Sequence, residues 1–166
     1  MKQPEMKPRN RAGFFSKILS GGLKIIRWVI LLAGWAGSSA ASEIYEPAVG
    51  SIERKRLLDA IRPHAEWELG APIEFNVMDI RVNGDLAFVQ LNPQRPGGGE
   101  IDLAKSPMVA RGVPLNMLDG ARLEALLVKE GETWVALLHL IGATDLWFSS
   151  PEICTFFRPV IPDYCP

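Results

Sequence analysis

The strongest apolar pattern in the chain lies between Ala121 and Gly142 and predicts a β-hairpin. Two apolar runs flank Glu130-Gly131-Glu132, a charged triplet whose glycine can adopt the positive φ of a tight turn. Few charges interrupt either run, so both faces of this hairpin are expected to be at least partly covered. The rest of the chain is therefore expected to supply the elements that pack against it.

A helical stripe precedes the strands and begins after Ser51, a good N-cap residue. Its apolar positions are spaced by one, three and four residues, as on one face of a helix: Leu57, Leu58, Ile61, Ala65 and Leu69. Gly70 ends the stripe. Pro63 interrupts it, which predicts a kink or a division into two short helices rather than one straight rod.

A first hairpin is predicted from residues 73–82 and 86–91, joined by Asn83-Gly84-Asp85. Asn-Gly between apolar runs is the strongest short-range hairpin signal. The apolar positions change parity between Val77 and Met78, which predicts a β-bulge that bends the strand. A sheet bent in this way can curl around a helix.

The pattern lapses over residues 92–120, which are rich in proline and glycine. A loop this long is uncommon in a compact domain, so it is either a functional flap or contains a short helix around residues 106–111. The run Gly97-Gly98-Gly99 lacks the lysine and helix start of a phosphate loop and is interpreted as a flexible connection.

These elements predict an α+β fold in which an N-terminal helix packs on a curved antiparallel sheet of about four strands. Leu57, Ile61 and Leu137 are expected to face its interior. The predicted organisation is a linker over residues 42–50, the α+β domain over residues 51–150 and a tail over residues 151–166.

Three local sequences carry a resemblance: LLDAIRP (residues 57–63), GDLAFV (residues 84–89) and GATDLW (residues 142–147). They resemble a group of uncharacterised exported bacterial proteins with a cystatin-like or nuclear-transport-factor-like fold, in which a bent sheet wraps a helix to form a cone. The resemblance covers most of residues 51–150. It implies a fold and an exported location, and it implies no catalytic residue.

The first 41 residues have the organisation of an export signal. A basic lead precedes the apolar run of residues 28–36, and the small residues 37–41 suit signal peptidase, with cleavage expected after Ala41. The apolar run is shorter than the roughly 20 residues of a membrane span. The alternative is an uncleaved N-terminal anchor, which would be the protein's one attachment to a membrane. The predicted location is periplasmic or secreted.

Removal of this segment leaves an acidic domain. The chain has 18 basic and 19 acidic residues, and loss of seven basic and one acidic residue leaves 11 and 18, a net charge of −7. Nucleic acid is excluded as a partner, because phosphate binding requires clustered cations. The two cysteines, Cys154 and Cys165, predict a disulfide that pins the tail of an exported protein.

Candidate functional residues are few. His139 is predicted to share a strand face with Val135, Leu137 and Ile141, where it could act as a general base, with Asp79 as the second catalytic candidate. The alternative for His139 is a hydrogen-bonded histidine of the core or rim.

Candidate binding residues lie on the first strand, on the helix and after the last strand. Arg81 forms with Asp79 either a pocket pair or part of the solvent face. His64 and Trp67, with Glu68 beside them, form either a polar patch at the pocket mouth or ordinary surface. Trp147 belongs to the core and rim or marks a partner surface. No sequence motif for a nucleophile elbow, a metal site or a cofactor is present, so neither metal nor cofactor is predicted.

The sequence therefore favours an exported, non-catalytic binding or interaction module that uses the cone mouth and the 92–120 loop. Its partner would be a small molecule or a protein. One alternative is a small enzyme of proton transfer or hydrolysis in the same cone. Another is an inhibitor or immunity-type protein that blocks the active site of a second protein.

Overall fold

The computed structural model of the protein describes residues 43–166, and the predicted export segment lies outside this range. Within it, one long helix packs on a four-stranded antiparallel sheet, which confirms the predicted fold class. The elements are α1 (Ile52–Leu69), β1 (Glu74–Asn83), β2 (Leu86–Gln94), β3 (Leu123–Glu130) and β4 (Thr133–Ile141). The strand order is β1-β2-β3-β4, and the sheet is not closed into a barrel, so β1 and β4 form its edges.

Helix α1 begins at the predicted cap, where the Ser51 hydroxyl accepts a hydrogen bond from the Arg54 amide at 3.1 Å. Its buried face repeats every four residues and packs on the sheet: Leu57, Ile61, Ala65 and Leu69. The helix continues through Pro63, so the predicted division into two helices is wrong. Two fully buried residues lie on each side of the proline, and their packing on one sheet holds both halves together.

The C-terminus of α1 is closed by a side chain from beyond β2. Gly70 ends the helix with a φ of 84°. The Arg95 guanidinium donates to the carbonyl oxygens of Leu69 at 2.8 Å and Pro72 at 3.1 Å, and also to that of Gly70. Carbonyls at a helix end lack partners within the helix, so Arg95 satisfies them and ties the long loop to α1.

The long loop contains a second helix, α2 (Pro107–Ala110), as predicted for residues 106–111. Ser106 is buried and caps it, accepting a hydrogen bond from the Val109 amide at 3.4 Å. The predicted linker is also ordered against the sheet from Tyr45, which pairs with Val82 through backbone hydrogen bonds of 2.9 and 2.8 Å. This bridge covers part of the β1 edge.

Both edge strands carry a bulge. The β1–β2 register shifts between Val77 and Asp79, which confirms the bulge predicted beside Met78. A second bulge, not predicted, lies in β4: Leu126 pairs with Leu138 and Leu127 with Ala136, so Leu137 is the additional residue. Leu137 is 53% exposed, and the prediction that it faces the interior is wrong.

The C-terminal segment forms the layer on the second face of the sheet. It contains α3 (Pro151–Phe157), and its apolar side chains pack with those of β2 and β3 in one cluster: Phe88, Leu126, Phe148, Cys154, Phe157, Val160, Ile161 and Cys165. The hairpin prediction that both faces are covered is therefore confirmed for β3, whose residues from 123 to 127 are all buried. In β4 the cover is only partial: Trp134 and Ile141 are buried, whereas Val135, Leu137, Leu138 and Leu140 are 39–53% exposed.

The predicted disulfide is confirmed, with the sulfurs of Cys154 and Cys165 at 2.03 Å. Two further contacts fasten this segment to β1. Arg81 donates to the Asp163 carboxylate at 2.8 Å, and the Asn83 side-chain amide donates to the Pro159 carbonyl at 3.1 Å. The segment predicted as a pinned tail is thus part of the folded core.

Candidate functional site

An open cleft lies where β4 ends. Its lining comes from α2 and the segment that follows it, and from the last turn of α1. Its volume is about 670 Å³, within the range of small-molecule sites. Most of its walls are apolar and include Met108, Val113, Met117, Leu118 and Ile141. Much of the lining comes from the long loop, the segment for which the sequence predicts a role in binding.

A paired set of charges lies at one end of the cleft. The Arg111 guanidinium donates to the Glu68 carboxylate at 2.6 Å and to the Trp67 carbonyl at 3.1 Å. It also lies over the Trp67 ring, 4.6 Å from the ring centroid. Arg111 follows α2 directly and acts as its C-terminal cap, so these contacts fix α2 against α1 and neutralise the Glu68 carboxylate.

His139 lines the cleft from β4 and packs against His64 of α1, with ring centroids 4.5 Å apart and the ring planes tilted by 42°. Burial lowers the pKa of His139 below its ordinary value of 6.5, the neighbouring His64 lowers it further, and Glu68 opposes both effects. The imidazole is therefore neutral at neutral pH and can accept a hydrogen bond. In the unfolded chain His139 has its ordinary pKa, so its imidazole binds a proton more readily there than in the folded chain. The contribution of His139 to the free energy of unfolding therefore falls as the pH drops below 6.5.

The β4 bulge decides which face His139 occupies. Because Leu137 is the additional residue, His139 lies on the α1 side together with Trp134, Ala136 and Ile141. The predicted neighbours Val135 and Leu137 do not share this face. Without the bulge, the alternation of a strand would place His139 on the opposite face.

The predicted site residues divide between the two faces of the sheet. His139 lines the cleft and contacts His64, and Trp67 contacts Arg111 of the lining, whereas His64 and Trp67 are not themselves lining residues. Arg81 donates to the Asp79 carboxylate at 2.8 Å and reaches Asp163 on the other face. The Asp79–Arg81 pair therefore fastens the C-terminal segment and does not line this cleft.

His139 and Asp79 do not form the predicted catalytic pair. They lie on β4 and β1, the two edges of the sheet. Three strand spacings separate these edges, which is roughly 14 Å. The two side chains also project towards opposite layers, His139 to α1 and Asp79 to Arg81 and the C-terminal segment.

Trp147, predicted as a binding residue, packs in the cluster on the second face. Its ring lies 5.8 Å from that of Phe148 in an edge-to-face arrangement, and its indole nitrogen is buried. The structure thus agrees with the alternative interpretation of Trp147 as a packing residue of the core and rim.

Sequence reasoning missed Arg111 and the apolar residues of the loop that form most of the cleft. The available signal was the recurrence of Met108, Val113, Met117 and Leu118 in a segment otherwise rich in proline and glycine. Within residues 43–166, no cluster of three or more histidine, cysteine or acidic side chains could hold a metal ion. In the same range, no helix is long and apolar enough to cross a membrane.

Comparisons of the chain with protein-family models, curated proteins and solved structures find no match. The resemblance to cystatin-like or nuclear-transport-factor-like proteins therefore rests on its three local sequences and stays a prediction.

Gly142 fixes the wall of the cleft beside Leu118, and its replacement by alanine tests this geometry. Gly142 has a φ of +68°, and a Cβ would lie 2.8 Å from the Gly120 carbonyl oxygen and 3.1 Å from Leu118. We expect Gly142→Ala to lower the free energy of unfolding by about 2–4 kcal/mol, from the positive φ and the clash together. Urea unfolding followed by circular dichroism measures the change.

Gly131→Ala is the matched control, because Gly131 has a similar φ of +61° with nothing within 4 Å of the added Cβ. This substitution should lower the free energy of unfolding by only about 1–2 kcal/mol. Equal losses in the two variants would contradict the close approach at Gly142.

Proposed function

We propose that the protein is an exported, non-catalytic binding module that holds a small, mainly apolar ligand in this cleft. The observation that carries the proposal is an open cavity of about 670 Å³ whose walls are mainly apolar and include a few polar side chains, among them Glu68, Arg111 and His139. Sites for small ligands have this composition, since apolar walls supply affinity and a few polar groups fix orientation.

The charges of the cleft favour an uncharged ligand. Arg111 and Glu68 neutralise each other, and His139 is neutral at neutral pH. Asp145 lies on the rim, so the mouth carries negative charge that disfavours anions. The His139 imidazole can accept a hydrogen bond, which suits a ligand with one hydroxyl or N–H donor beside an apolar body.

Two features support export to the periplasm or the medium. The Cys154–Cys165 disulfide is typical of proteins that fold in an oxidising compartment. The sequence of residues 1–41 has the organisation of a signal peptide. Sequencing the N-terminus of the exported protein tests the cleavage expected after Ala41, and retention of the segment would mean a membrane-anchored form.

Titration with N-phenyl-1-naphthylamine tests the binding proposal, because this fluorophore is neutral, apolar and carries one N–H donor. We expect a saturable fluorescence increase with one probe per cleft. Val113→Trp should fill part of the cavity and weaken binding on the order of tenfold. The same assay can then measure whether natural extracts displace the fluorophore from the cleft.

Val49→Trp is the matched control, since Val49 is 87% exposed and lies outside the cleft. It should bind the probe as the unsubstituted protein does. Absence of saturable binding, or equal binding by the Val113→Trp variant, would refute the proposal.

A second candidate function is a small enzyme of proton-transfer type with His139 as the base. The lowered pKa of His139 inside an apolar cleft favours it. Cyclohexanone in deuterated water provides a test, because an enzyme of this type would accelerate exchange of the protons next to the carbonyl and His139→Gln would not. Under the binding proposal, neither protein accelerates the exchange.

A further inference from the structure

A buried ion pair lies at the start of β3, outside the lining of the cleft. The Glu124 side chain is only 2% exposed, and its Oε1 atom accepts hydrogen bonds from Arg122 Nε at 2.6 Å and from the Gln90 amide at 3.3 Å. Its Oε2 atom is buried and has no hydrogen-bond partner among residues 43–166. Burial of such a pair adds little to stability, because removing the charges from water costs about as much as their attraction returns. The pair therefore requires an explanation other than stability.

Glu124 projects to the face of the sheet opposite α1. Its neighbours Leu123 and Ala125 pack in the core cluster that contains the buried face of α1. Because side chains alternate along a strand, Glu124 points to the second face. Any effect of this carboxylate on the cleft must therefore pass through a residue that contacts both.

Arg122 is that residue. Its Nη2 atom donates to the Ala143 carbonyl oxygen at 3.2 Å, and its own carbonyl oxygen accepts from the Gly142 amide at 2.7 Å. The Gly142 carbonyl oxygen in turn accepts from the Asp119 amide at 2.9 Å. Residues 142–145 line the cleft. Arg122 thus joins the buried carboxylate to this wall.

We propose that Arg122 and Glu124 are positioning residues that hold residues 142–145 where they can contact a ligand. Glu124 fixes the direction of the guanidinium, since it accepts from Nε and leaves Nη2 for the Ala143 carbonyl. Loss of the pair leaves the wall less ordered, and a wall that must become ordered on binding lowers affinity. This inference rests on the proposed function, because it assumes that the cleft binds a ligand.

The double variant Arg122→Met/Glu124→Leu separates this role from a role in stability. Removal of both charges leaves no buried charge unpaired, so its unfolding in urea should resemble that of the unsubstituted protein. We expect its affinity for N-phenyl-1-naphthylamine to fall on the order of tenfold. A pair that served stability alone would leave the affinity of the folded variant unchanged.

Arg122→Lys is a second variant that protects the fold, because it keeps a cation beside Glu124. One ammonium group does not reproduce the two directed contacts of the guanidinium. We therefore expect a loss of affinity in this variant too, on the order of threefold to tenfold.

Amide hydrogen exchange of the ligand-free protein tests the wall without a ligand. The Gly142 and Asp119 amides should exchange on the order of tenfold faster in the double variant, whereas the Val89 amide at the middle of β2 should not change. If exchange responds in this way but the unsubstituted protein does not bind the probe, the binding proposal fails and the support of the wall by Arg122 and Glu124 is retained.

Arg54→Met/Glu46→Leu is the matched control. Arg54 likewise pairs with a glutamate, Glu46 at 2.7 Å, and donates to a backbone carbonyl, that of Pro47 at 2.9 Å, but it does not line the cleft. This variant should bind the probe as the unsubstituted protein does. Unchanged affinity in both Arg122 variants, or unchanged exchange of the Gly142 and Asp119 amides in the double variant, would overturn the proposal.

Discussion

Replacing Phe88 by alanine is expected to lower the free energy of unfolding by about 3–5 kcal/mol. Phe88 lies on β2 and is fully buried on the face that the C-terminal segment covers. Its ring packs against those of Phe148 at 4.9 Å and Tyr164 at 6.2 Å between centroids. Truncation removes both contacts and leaves a cavity between the sheet and this segment, and urea unfolding measures the loss.

Phe156→Ala is the control for this substitution. Phe156 belongs to the same C-terminal layer but is 58% exposed, so its loss should cost less than about 1 kcal/mol. If the two phenylalanine variants were equally stable, the C-terminal segment would not pack on β2 as the structure places it.

Replacing Ile61 by alanine is expected to lower the free energy of unfolding by about 2–5 kcal/mol. Ile61 is fully buried at the middle of α1 and packs on the first face of the sheet. It also lies two residues before Pro63, where the backbone lacks one amide donor, so side-chain packing must hold the helix together here. The same unfolding experiment, monitored by helical circular dichroism, measures the change.

Ile52→Ala, in the first turn of the same helix, is the matched control. Ile52 is 72% exposed, and its truncation should change stability by no more than about 0.5 kcal/mol. A similar loss at both positions would mean that α1 does not bury the face assigned to it.

Local signals were sufficient to predict the strands. Gly84 and Gly131 sit in the two hairpin turns and have the positive φ that such turns require, and Asn83 is the last residue of β1 before the first turn. In β1, the polar residues Asp79 and Arg81 alternate with apolar ones, so the change of parity after Val77 is visible in the sequence. The bulge at Met78 could therefore be predicted.

The bulge in β4 is not visible as a change of parity in the sequence. Leu137 and Leu138 follow each other in a strand without charges, so no alternation of polar and apolar residues shows where the parity changes. The face of His139 depends on that change. For this reason sequence reasoning placed Val135 and Leu137 on the strand face of His139, where the structure has Trp134 and Ala136.

The long-range packing also could not be predicted from the sequence. The two cysteines predict a local loop, and they carry no information about the surface on which that loop lies. Periodicity likewise identifies His64 and Trp67 as neighbours on a helix, whereas their approach to His139 and Arg111 depends on how α1, α2 and β4 pack together.

The most direct test of the ligand cleft follows the methionine methyl groups by NMR during titration with N-phenyl-1-naphthylamine. Met108 and Met117 line the cleft, whereas Met78 lies at the bulge of the opposite edge strand. We predict saturable shifts of the Met108 and Met117 methyl signals and no shift of Met78. Unchanged Met108 and Met117 signals at saturating probe, or shifts confined to Met78, would contradict the assignment of this cleft as the binding site.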